Sequence, residues 1–224
     1  LATAVVALPG QMMFAGDTLA GLPPERMRLL QQALPVCDVR PLDLYPIFEL
    51  VPVWDLKIRR PFGAWDVVSL FNFSDQPETI QTALDALGLP EGTYVFYDFW
   101  SGVWGETSGT LGRELAPHSN AVLALHRATA HPQFLSTDRH ITQGGVGLEA
   151  LAWDEAAKTL SGTTRAVGGF PDTLVFRVPE GYTLASASAD GAAVTHATTA
   201  AGLLSMTLSA AEPGLVTWEL RFAE

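Results

Sequence analysis

Ser136, Asp138 and His140 have the composition of a nucleophile, an orienting carboxylate and a general base, and on an extended strand their i, i+2, i+4 spacing puts all three on one face. A working triad needs members that converge from different elements so that the imidazole reaches both partners. Three near neighbours on one strand do not do this, and the segment reads as a polar loop bonded to its own backbone. The five histidines, His118, His126, His131, His140 and His196, are scattered, with no partner four residues away and no cysteine nearby. Their spacing predicts structural histidines and no metal site. Gly144-Gly145-Val146-Gly147 does not run from a strand into a helix, so it lacks the helix N-terminus that cradles a phosphate and is read as a turn. No cofactor is expected. Asp98, Glu106 and Asp154 stand next to Trp100, Trp104 and Trp153, a pairing of acid and aromatic that could line a sugar site; turn and edge positions explain it as well.

The elements that would position these groups are mostly strands. Tyr94 to Glu106, YVFYDFWSGVWGE, packs more aromatic surface than any other stretch and reads as a strand running into a turn. Tyr97 and Phe99 point to one face and Tyr94, Phe96 and Trp100 to the other, so both faces are apolar and need a covering layer. Phe99 and Trp100 are predicted to be core. Trp54, Leu56 and Ile58 alternate with Asp55 and Lys57, as in a half-buried strand, and Val67 to Phe73 forms the next strand. For the segment around Ile80, helical spacing (Ile80, Leu84, Leu87) competes with the strand preference of Thr79 and Thr82, and periodicity alone does not separate them.

At 224 residues, with 48% hydrophobic and 17% charged residues, the chain can bury a sizeable core and has room for more than one domain. A net charge of −11 argues against nucleic acid or an anionic membrane surface as a partner. The single cysteine, Cys37, excludes an internal disulfide. No run of about 18 apolar residues spans a membrane. The N-terminus has neither a methionine nor the basic start of a signal peptide, and is read as the interior of a longer chain.

Taken in order, three segments are predicted. Residues 1–45 read as the end of a helix over 1–8, a buried run at Met12, Met13 and Phe14, and a helix opened by Pro23 and Pro24 with Met27, Leu30 and Leu34 on one face. That order belongs to an α/β repeat whose neighbouring strands are missing, and the β part is expected not to need it. Residues 46–132 read as an antiparallel β-sandwich, and residues 133–224 as a second antiparallel β domain with a hairpin turn at Asp190-Gly191. In its last strand Val216, Trp218, Leu220 and Phe222 face inward.

Three stretches together resemble the C-terminal part of the melibiase-like glycoside hydrolases, the α-galactosidase clan that joins a (β/α)8 barrel to a C-terminal β-sandwich. MMFAGDTLAGLPPERMRLLQQALPV is similar to that family's last barrel strand and helix. YDFWSGVWGE with LAPHSNAVLAL is similar to strands of its sandwich, and HPQFLSTDRHITQGG with LSGTTRAVGG to a further β region of some bacterial members. The resemblance implies a mainly β fold, sandwich domains preceded by the last βα element of a barrel. It implies retaining hydrolysis of a carbohydrate by two carboxylates on barrel strands upstream of Leu1, so no residue of this chain takes a catalytic role. Asp17, at the carboxyl end of the barrel strand, is the one substrate-binding candidate, and it could equally cap the loop that follows. The alternative from a different class is a stand-alone carbohydrate-binding or structural β module.

Overall fold

The computed structural model describes residues 1–10, 13–16, 18–39, 41–42, 51–198 and 202–223. The chain is mainly β, and each strand pairing with a defined register is antiparallel. It divides into two compact units, Leu1–Arg59 with Ala64–Ala128 and His140–Gln143, and Arg60–Gly63 with Thr129–Arg139 and Gly144–Glu224.

The first unit opens with α1 (Ala2–Ala7), closed by the fully buried Leu8 and a turn at Gly10, whose φ of 62° suits glycine. Among the described residues, the buried run expected next does not form. Met13–Gly16 forms no strand and Phe14 is 83% exposed, while Met12 and Asp17 lie outside the described residues. Apolar residues form a buried strand only where a neighbour takes up their backbone groups, and none pairs here among the described residues. Helix α2 (Pro24–Ala33) begins with Pro24, whose missing N–H costs nothing in the first turn, and stops before Pro35. Its buried residue is Ala33; Met27 and Leu30 are half-buried and Leu34 is exposed.

Eight strands follow: β1 (Pro41–Leu42), β2 (Val53–Arg60), β3 (Gly63–Asn72), β4 (Glu78–Ala83), β5 (Tyr94–Asp98), β6 (Trp104–Thr107), β7 (Thr110–Leu115) and β8 (Ser119–Arg127). Among the described residues they make a six-stranded sheet, ordered β1-β2-β3-β8-β5-β6, and a β4-β7 ribbon. Val68, Leu70, Leu123 and Tyr94 of the sheet pack on Leu111 and Leu115 of the ribbon, so the segment at Ile80 is a strand. The aromatic strand β5 lies between β8 and β6 with Tyr94 and Val95 buried. It ends earlier than expected, because Asp98 accepts from the Trp100 N–H (3.2 Å) and the Ser101 hydroxyl (2.6 Å) and folds the chain into a turn. Phe99 and Trp100 are therefore half-buried turn residues, not core. His140–Gln143 complete this unit. The Ile141 N–H donates to the Gln32 carbonyl (2.8 Å), Gln143 Nε2 donates to the Val122 carbonyl (3.0 Å), and none of the four is more than 2% exposed.

The second unit contains β9 (Gln133–Thr137), β10 (Leu148–Asp154), β11 (Thr159–Ala166), β12 (Asp172–Arg177), β13 (Thr183–Asp190), β14 (Ala193–Thr198), β15 (Leu203–Ser209) and β16 (Gly214–Ala223). Two four-stranded sheets, β10-β11-β16-β13 and β14-β15-β12-β9, share a core that includes Phe134, Phe176, Met206, Trp218 and Leu220. Strand β16 alternates as its sequence requires, with Val216, Trp218, Leu220 and Phe222 buried. The Asp190-Gly191 turn is not a hairpin within one sheet. Strand β13 pairs with β16 and β14 pairs with β15, so the turn carries the chain from one sheet to the other.

Candidate functional site: a charged pocket in the first unit

The polar groups of the first unit gather where the apolar inner face of its sheet gives out. Along β3 the inward series Leu70, Val68 ends in Asp66; along β8 the series Leu123, Leu125 ends in Arg127, whose register partner is Tyr94 of β5. From β2, Asp55, Lys57 and Arg59 share one face by the alternation of the strand. The resulting pocket, about 240 Å3, is lined by Arg59, Asp66, Leu89, Pro90, Tyr94 and Arg127, among others.

Beside it, the Lys57 ammonium meets three acceptors for its three N–H groups: Asp55 Oδ2 (2.7 Å), Asp66 Oδ2 (2.5 Å) and the Leu87 carbonyl (2.6 Å). Burial pulls the Lys57 pKa down, but the hydrogen bonds and charges of Asp55 and Asp66 outweigh it and hold the ammonium above its ordinary value. Asp66 is 1% exposed and also lies 3.5 Å from Arg59 Nη1. Asp55 Oδ1 is buried with no hydrogen-bond partner among the described residues. Burial pushes the Asp55 carboxyl up to about 6, the Lys57 hydrogen bond opposes that rise, and the charge of Asp66 adds to it. Asp55 does not line the pocket and Asp66 is held by two cations. The arrangement therefore suits holding an anion rather than proton transfer across a cavity.

No protein-family model matches the chain, and no curated protein matches it. Solved structures do. The chain is similar to a GH27 β-L-arabinopyranosidase from Geobacillus stearothermophilus and to a variant of that enzyme in complex with arabinose, each at 19% identity and a TM-score of 0.46. The match covers 58% and 57% of this chain respectively, and the chain spans 30% of the length of either enzyme structure.

The residues singled out by sequence are dispersed. Ser136 Oγ donates to the Thr137 carbonyl (3.4 Å), Asp138 accepts from the Thr173 N–H (2.9 Å), and His140 Nε2 lies 2.9 Å from the Pro35 carbonyl. A carbonyl only accepts, so the His140 proton sits on Nε2, while Nδ1 accepts from the Thr142 N–H (3.2 Å); both nitrogens are used structurally. His131 stacks on Trp153 (4.8 Å), His126 stacks on Trp65 (5.6 Å), and His118 pairs with Asp75 at the surface. Among the described residues no group of three His, Cys, Asp or Glu could hold a metal ion. Asp98 is 3% exposed and pairs with Arg113 (3.6 Å), and Asp154 caps the turn at Ala156 and Ala157. Asp17 lies outside the described residues. Sequence reasoning passed over Arg59, Asp66 and Arg127. The legible signal was the charged series at Asp55, Lys57 and Arg59, every second residue of a strand next to one carrying Asp66.

Proposed function

We propose that the chain is the C-terminal, non-catalytic part of a glycoside hydrolase resembling the α-galactosidase clan, with hydrolysis of a carbohydrate carried out by a (β/α)8 barrel beyond these residues. One observation supports this: YDFWSGVWGE and LAPHSNAVLAL, the stretches that resemble the family's sandwich, fall on β5, β6 and β8, which are side-by-side strands of one sheet. A retaining mechanism needs two carboxylates about 5–5.5 Å apart across the sugar. The charged pocket is lined by one carboxylate, Asp66, and that one is ion-paired. In this reading Asp17 stands at the rim of the barrel pocket.

The experiment has two arms. Translating the codons upstream of Leu1 is expected to give barrel strands, two of them ending in carboxylates. The 224-residue chain alone is expected to leave aryl α- and β-glycosides uncleaved. Turnover by the isolated chain that disappears on Asp66→Asn would overturn the proposal.

A further inference from the structure

In a chain of net charge −11, the pocket lining of the first unit carries two guanidiniums, Arg59 and Arg127, against one carboxylate, Asp66. Asp66 shares Lys57 with Asp55, so the three cations Lys57, Arg59 and Arg127 stand against two carboxylates and leave the pocket region with an excess of one positive charge. The guanidiniums sit on built supports. Gly92 has a φ of 152°, and a Cβ there would come 3.3 Å from Arg127 Nη2, so the bare backbone forms the shelf on which this guanidinium lies. Arg127 also donates to the Glu91 carbonyl at 3.4 Å. The Tyr94 hydroxyl, on the residue paired with Arg127, donates to the Pro90 carbonyl (3.0 Å) and holds the neighbouring part of the lining. Arg59 is anchored through Nη1 to the Ile58 carbonyl (3.0 Å), and its side chain is 56% exposed.

Leu89, Pro90, Tyr94 and Leu125 give the rest of the lining an apolar character that a bare inorganic anion would not use. At about 240 Å3 the pocket is below the range of roughly 300–1,000 Å3 usual for drug-sized ligands. We infer that this pocket binds a small organic carboxylate the size of one sugar ring, such as a uronic acid, with its carboxylate on Arg59 and Arg127 and its C–H face on Leu89 and Pro90. Planar guanidiniums match a carboxylate in geometry as well as in charge, and that match separates the acid from the neutral sugar. The inference concerns a site within this chain and stands whether or not a barrel precedes it.

Titrating the full chain with sodium glucuronate, with glucose and inorganic phosphate as comparisons, tests it by calorimetry and by amide shift mapping. Saturable glucuronate binding is expected, with shifts at residues 89–94 and 125–127 and with glucose and phosphate at least about tenfold weaker. Arg127→Gln and Arg59→Gln should each weaken glucuronate about tenfold with unchanged circular dichroism; if one of them misfolds, the other and the shift map decide. No saturation, shifts confined to other residues, phosphate binding as tightly as glucuronate, or binding that survives a folded arginine variant would each overturn the assignment.

Discussion

Asp55 gives the first unit a pH dependence of unusual sign. Its carboxyl is raised to about 6 in the folded chain, against about 3.9 when unfolded, so the native state holds the proton more tightly. Its contribution is then least favourable above pH 6 and becomes more favourable as pH falls from 6 toward 4, the reverse of a salt-bridged carboxylate with a depressed pKa. Between pH 7 and pH 5 the gain from this group is about 1 kcal/mol. Asp55→Asn, which keeps an oxygen for Lys57, should abolish that gain; urea melts at the two pH values measure it, and equal pH responses in parent and variant would dismiss the assignment. The sequence placed Asp55 and Lys57 together on one face correctly but read it as a wet face. Strand alternation reports which residues share a side and is silent on what covers that side. Here Asp55 is 7% exposed, beside Asp66 and the Leu87 carbonyl that complete the Lys57 shell.

At the scale of elements, strands were legible where large side chains alternate and obscure where small ones do. Strand β16 could be read residue by residue because Trp218 and Phe222 alternate with Thr217 and Arg221. The partnerships of β13 and β14 could not, since their Ala, Ser and Thr side chains do not distinguish one sheet from another, and the Asp-Gly turn between them fits an arch as well as a hairpin. Met13 and Phe14, the described part of the expected buried run, form no strand for the complementary reason: apolarity marks a strand only where partners exist. One close fit between elements is testable. Gly162 of β11 faces Trp218 of β16 in register, and an added Cβ would collide with an indole whose Nε1 is fixed to Thr164 Oγ1 at 3.0 Å. Gly162→Ala should therefore cost about 1–3 kcal/mol through overpacking. Thermal melts by circular dichroism check this, and a variant as stable as the parent would mean that the indole and the Ala150 carbonyl can yield.

For the molecule as a whole, the two compact units are interleaved along the sequence. The first recovers His140–Gln143 after the chain has left it, and the second claims Arg60–Gly63, whose Phe62 packs against the second core. Truncation should reveal the interleaving. A fragment ending at residue 143 is expected to melt higher than one ending at 128, because only the longer one supplies the bonds to Gln32, Pro35 and Val122. Equal melting temperatures by circular dichroism would show that those four residues add nothing. Residues at the end of helix α2 and just after it accept two of these bonds, and they fall in the first compact unit, so removing residues 1–45 is expected to lower the melting temperature of that unit.

The late return of His140–Gln143 also sets a timetable during synthesis. A ribosome delivers the chain from its N-terminus, so the strands up to β8 emerge before the residues that finish their unit, which follow 12–15 positions after Ala128. At about 5–20 residues per second, the nascent sandwich waits roughly one to three seconds for the bonds that Ile141, His140 and Gln143 bring to the Gln32, Pro35 and Val122 carbonyls. During that interval the helical segment is held less firmly than in the finished protein, and a chaperone that recognises short apolar stretches would find its window there.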